Sequence, residues 1–166
     1  MSFRVKSYFK FLVKSTNQHG IHSPFVFNYL TKCLYTKPKK SKDKSINVLL
    51  KSIPYFNAKS VSVQGNDAVK EELDLNFQTP FKKGSPIDIL YFESALNQNP
   101  KQVFSNFQLH NDSLIVFGGI YNSKETFSHW MEFTKNEKVT VSMDLFHCGL
   151  LFIRKEQVKQ HFTIRI

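Results

Sequence analysis

Cysteine is scarce in this sequence. The chain has only two cysteines, Cys33 and Cys148, and they form no C-x-x-C pair. Their spacing indicates neither a disulfide framework nor a zinc knuckle. A chain with so little cysteine suits a reducing compartment, and we expect a cytoplasmic protein.

Long apolar runs are also missing. None approaches the ~20 residues that a membrane-spanning helix needs. The N-terminus is basic, but lysine and arginine interrupt its apolar residues and no small-residue cleavage site follows. We therefore predict neither a transmembrane span nor a secretory signal.

Acidic residues are nearly absent from the first third of the chain. Residues 1–59 hold 12 of the 23 lysines and arginines but a single acid, Asp43, whereas the remainder is close to neutral. Such an asymmetry indicates an anionic partner, either nucleic acid or a membrane surface, or else a solvated basic extension. We see no RNA-recognition aromatic motif and no helix-turn-helix pattern that would favour nucleic acid.

The chain does contain enough apolar residues for one core. It has 166 residues, of which 41% are hydrophobic and 14% aromatic, and this composition is typical of one compact domain. Residues 2–15 have the pattern of an amphipathic helix that either lies on anionic lipid or caps the core. We predict a basic helical extension over residues 1–45 and an α/β domain over residues 46–166.

The second part of the chain alternates short buried strands with helices. The segments 60–65, 87–94 and 113–120 predict buried strands, and 138–155 predicts an antiparallel hairpin at one edge of the sheet. This alternation indicates an α/β fold with a mostly parallel sheet covered on both faces. Ligands of such sheets bind beyond the carboxyl ends of the strands.

Two long segments carry a resemblance to a known family. They are NQHGIHSPFVF at 17–27 and DLFHCGLLFIRKEQVKQHFTIRI at 144–166. Both resemble a bacterial family of class I S-adenosylmethionine-dependent methyltransferases. The resemblance implies a Rossmann-like fold in which 60–65 is the first strand, 87–94 the fourth and 113–120 the fifth. Two strand–helix units of the family would be lost between Gly65 and Asp88, which gives a shortened methyltransferase fold.

The resemblance also implies where adenosylmethionine would bind. The candidate cofactor-binding residues are Gln64, Gly65, Asn66 and Glu93. Gln64 occupies the acidic position of the family, a single glycine remains at the first turn, and no second strand is available to carry the acid that holds the ribose.

Other positions of the family are also changed. Gly118 and Gly119 stand where two consecutive aspartates are expected, so metal ligands and a general base are lost together. His19 and His22 lack a third ligand, and the adjacent His147 and Cys148 are poorly placed to activate each other. We therefore assign no catalytic residue and no metal site.

Three functions follow as alternatives. The chain is a methyltransferase-like protein with a degenerate cofactor site and weak or no catalysis, or a working methyltransferase completed by unusual loops or a partner. The third alternative is a noncatalytic basic adaptor whose residues 1–45 bind nucleic acid, a membrane surface or a protein. The methyl acceptor has no readable motif, and the short sheet and aromatic N-terminal helix favour a homodimer.

Overall fold

A computed structural model of the chain describes residues 2–65, 67–78, 81, 84 and 86–166. The helices are α1 Phe3–Lys14, α2 Pro24–Tyr29, α3 Lys44–Tyr55, α4 Asp67–Asn76, α5 Pro100–Asn106 and α6 Lys124–Lys135. A short 3-10 helix, Gln18–Gly20, precedes α2, and a π-helical turn, Leu30–Leu34, follows it. The strands are β1 Val61–Gln64, β2 Ile87–Phe92, β3 Leu109–Gly118, β4 Val141–Asp144, β5 Cys148–Phe152 and β6 Gln160–Thr163.

The described strands form one six-stranded sheet in the order β1-β2-β3-β5-β4-β6. Strands β1, β2 and β3 are parallel, β5 is antiparallel to both of its neighbours, and β6 is parallel to β4. The predicted α/β class and mostly parallel sheet are thus confirmed. The hairpin is placed differently from the prediction, because β5 lies inside the sheet and the unpredicted β6 forms the outer strand.

Helices cover both faces of this sheet, and the alternation of side chains along β2 separates the two cores. Ile89 and Tyr91 face one cluster, which includes Tyr29 and Leu30 near the end of α2. Leu90 and Phe92 face a second cluster built with the aromatic residues of α6. Because both faces are buried, the strand reads as an apolar run from Ile89 to Phe92 in the sequence.

The N-terminal segment contributes to both of these clusters. Phe11 of α1 is buried in the second one, where its ring lies 5.4 Å from that of Phe146. After α1, the backbone of Thr16 forms an isolated parallel bridge with Ile164 beyond β6. The proposed division of the chain at residue 45 stays a prediction, while the segment before it packs on the sheet.

None of the described helices combines the length and apolarity required to cross a bilayer.

Candidate functional site

The carboxyl ends of β1, β2 and β3 lie side by side, at the end of the sheet where these parallel strands finish. Gln64 is opposite Phe92, and Phe92 is opposite Phe117, so the turns after these strands are neighbours. The amide of Glu93 donates to the carbonyl of Gln64 across 3.3 Å. This is the edge at which a parallel α/β sheet binds its ligands.

Three of the four predicted site residues meet at this edge. Gly65 has φ +99°, and a Cβ built on it would lie 3.6 Å from Oε2 of Glu93, so the Glu93 carboxylate lies over the turn. The Gln64 side chain instead donates to Ser62 Oγ of its own strand across 2.9 Å. Asn66, the fourth residue, lies outside the described residues.

A cavity of about 270 Å³ opens beside Glu93 between the strand ends and the N-terminus of α3. Strand residues Tyr91 and Gly118 form its floor. The remaining walls come from α1, the start of α3, the turn after β3 and the turn before β5: Arg4, Asp43, Lys44, Ser45, Ile46, Gly119, Asn122 and His147. Neither Gln64 nor Gly65 belongs to its described lining.

A chain of hydrogen bonds holds α3 against β2 at the floor of this cavity. The Ser45 hydroxyl donates to Asp43 Oδ1 across 2.6 Å and lies 3.1 Å from the Tyr91 hydroxyl, which donates to it in turn. The amides of Ser45 and Ile46 also donate to Asp43 Oδ1. Asp43 is therefore the N-cap of α3, and such a cap satisfies amides that the helix itself leaves unpaired.

Hydrogen bonds set the protonation state of Asp43, and burial sets that of Tyr91. Burial alone would raise the pKa of Asp43, but the hydrogen bonds from Ser45 and Ile46 outweigh it and lower that pKa. Burial raises the pKa of Tyr91 to about 12. Asp43 stays ionised as a helix cap and Tyr91 stays protonated at neutral pH, so neither is suited to accept a proton from a substrate.

Sequence reasoning missed Asp43, Ser45, Tyr91 and Arg4. In the sequence, Asp43 belongs to the lysine-rich stretch 36–45, and the apolar residues of the following segment begin only at Ile46. The triplet Asp43-Lys44-Ser45 is a readable N-cap signal. The contact between Ser45 and Tyr91 spans 46 positions and leaves no local signal.

The two consecutive glycines at the end of β3 are explained by close packing. A Cβ on Gly118 would lie 2.7 Å from the backbone oxygen of Glu93 and 3.0 Å from the Tyr91 hydroxyl. Gly119 has φ +55°, and its amide donates to the carbonyl of His147 across 2.8 Å. The end of β3 thus contributes backbone and no side chain to the cavity.

His147 is the titratable ring in the cavity wall. Burial of the ring lowers its pKa from 6.5 to about 4, and the cations Lys44 and Arg4 act in the same direction, while Asp43 opposes them. The ring is therefore neutral at pH 7.

We expect protein stability to fall as the pH drops from about 6.5 to about 4, because unfolded His147 takes up a proton in this interval and folded His147 does not. The loss from this one residue should be about 1 to 2 kcal/mol, given solvent screening at a half-buried ring. Urea unfolding of wild-type protein and of His147→Gln at pH 7.5 and pH 5.0 measures it. An equal loss of stability in both proteins would contradict this assignment.

The remaining sequence candidates lie apart from this cavity. His19 and His22 are exposed around the short 3-10 helix, and within the described part of the chain no three His, Cys, Asp or Glu side chains converge as metal ligands. Cys148 is fully buried, and burial raises the pKa of its thiol. This thiol is inert rather than nucleophilic.

No protein-family model, curated protein or solved structure matches this chain. The class that its fold defines is therefore stated from its own topology. It is an α/β protein with a mostly parallel, six-stranded mixed sheet, consistent with a Rossmann-like fold.

Proposed function

We propose that this protein is a methyltransferase-like binding module in which the adenosylmethionine site is degenerate and catalysis is weak or absent. One observation carries the proposal: β1 is an outermost strand of the described sheet. The cofactor's ribose hydroxyls need an acid at the end of a further strand beside β1, by the logic that applies to dinucleotides. In the described sheet no strand pairs with β1 on the side away from β2.

The space at the other strand ends supports the same proposal. The cavity beside Glu93 measures about 270 Å³, which is at the lower end of the roughly 300 to 1,000 Å³ of ordinary ligand pockets. Gly118 is packed against the backbone of Glu93, which leaves no room there for a carboxylate. We therefore propose that the described residues at these strand ends do not form an adenosylmethionine site, and we derive no methyl-transfer step.

A thermal-shift assay with 1 mM adenosylmethionine or its demethylated product tests this proposal. A ligand present at 100 times its Kd would add about 2.7 kcal/mol of stability, which is about 5 to 10 °C for a chain of this size. We expect a shift below about 1 °C, within the scatter of such melting curves.

The matched variant is Glu93→Gln, which removes the charge beside Gly65 and leaves the side-chain volume almost unchanged. A rise of several degrees in wild-type protein that disappears in Glu93→Gln would overturn the proposal in favour of a working cofactor site. The cytoplasmic location stays a prediction, and we assign no methyl acceptor. The homodimer remains a proposal that sedimentation of the wild-type protein would test.

A further inference from the structure

Helix α1 has apolar residues on two opposite sides. Its inner side, with buried Ser7 and Phe11, faces the domain. Val5, Phe9 and Val13 follow one another at intervals of four residues and are 44%, 57% and 88% exposed. At about 100° per residue, this second row lies on roughly the opposite side of the helix from Ser7. We call it the outer stripe.

The outer stripe is bordered by lysines. Lys6, Lys10 and Lys14 each follow a stripe residue by one position, so they form a parallel row one step around the helix. All three are exposed. The chain has no acid before Asp43 that could neutralise this row.

We propose that α1 docks on an anionic lipid surface, with the outer stripe in the boundary between headgroups and acyl chains and the lysines on the headgroups. A helix with an apolar row beside a basic row has the pattern of helices that lie in this interface. At 12 residues α1 is about 18 Å long, and it would lie along the surface. This proposal does not depend on the state of the cofactor site.

Charge distinguishes the lipid surface from a second copy of the chain. A symmetric contact through the outer stripe would bring two lysine rows of equal sign together, which is unfavourable. Anionic lipid instead complements the excess of lysine and arginine in residues 1–59. The apolar residues favour lipid over nucleic acid. Binding to nucleic acid through phosphate contacts would use the lysines alone, whereas a lipid surface also takes up the side chains of Val5, Phe9 and Val13.

Vesicle sedimentation with the full chain tests the proposal. We expect strong binding to vesicles of phosphatidylglycerol and phosphatidylcholine, and at least about 10-fold weaker binding to phosphatidylcholine alone. The double variant F9S/V13S should bind the anionic vesicles at least about 10-fold more weakly than wild type. K6Q/K10Q should lose about 30-fold, since each lysine near an anionic surface contributes.

The control is L75S/V158S, which changes two apolar residues that are exposed elsewhere, at 84% and 71%. It should bind like wild type, and all variants should keep the wild-type melting temperature. Absence of binding to anionic vesicles at low salt would overturn the proposal, and so would equal losses in the control and in F9S/V13S. Tight binding of single-stranded RNA that F9S/V13S leaves intact, or a dimer that F9S/V13S dissociates, would replace lipid as the occupant.

Discussion

Replacing Gly118 with aspartate should destabilise the protein by about 3 kcal/mol, because the new side chain overpacks a buried position. A Cβ at this position would lie 2.7 Å from the backbone oxygen of Glu93, and a backbone oxygen cannot swing away as a side chain can. Urea unfolding of wild type and variant measures the difference. The prediction matters for function, because Gly118 stands where the family that the sequence resembles has an aspartate.

Two further variants distinguish the destabilisation caused by the Glu93 backbone from that caused by the Tyr91 hydroxyl. Gly118→Ala tests the Cβ alone, and G118A/Y91F removes the Tyr91 oxygen that lies 3.0 Å from it. We expect most of the cost of Gly118→Ala to persist in the double variant, because Glu93 remains in place. A free energy of unfolding of Gly118→Asp within about 0.5 kcal/mol of wild type, the scatter of neutral surface changes, would show that the site has room for an acid.

Replacing Gly149 with alanine should cost about 2 to 3 kcal/mol. A Cβ on Gly149 in β5 would lie 2.5 Å from two carbon atoms of the Trp130 ring. Trp130 on α6 is fully buried and lies against Phe117, so its ring cannot turn into solvent. Since Trp130 is the single tryptophan of the chain, its fluorescence during denaturant unfolding reports the transition directly.

A double-mutant cycle with Trp130→Leu identifies the cause of this cost, with unfolding followed by circular dichroism because this variant lacks the tryptophan. If the ring is responsible, G149A/W130L will be more stable than the sum of the two single effects by about 1 kcal/mol or more. Additive effects would mean that β5 does not pack under α6 in this way. The cycle therefore tests the packing of β5 against α6.

The parts of the fold that could be predicted from the sequence are the strands buried on both faces. β2 from Ile89 onward and β3 from Leu114 onward read as apolar runs because helices cover both sides of the sheet. β6, Gln160–Thr163, is partly exposed and mixed in polarity. Its extended conformation depends on pairing with β4, and no local pattern marks such a strand.

The candidate site was predictable only in part, for a similar reason. The strand ends that bring Gln64, Gly65 and Glu93 together follow from the order of the parallel strands. The contacts that shape the cavity join distant segments, as Ser45 joins Tyr91 and Gly119 joins His147. A glycine read alone indicates a turn, whereas the close approach of Gly118 to Glu93 becomes visible only in three dimensions.

Isothermal titration of the purified full-length chain with adenosylmethionine, and then with its demethylated product, tests the central claim most directly. The proposed loss of the cofactor site predicts no measurable heat of binding for either compound up to about 1 mM. A Kd of about 1 mM corresponds to a binding free energy of about −4 kcal/mol, and we expect binding to be weaker than this. A Kd in the micromolar range or tighter that is lost in Glu93→Gln would contradict the claim. Glu93 and Gly65 would then frame a working cofactor site at the edge of the sheet.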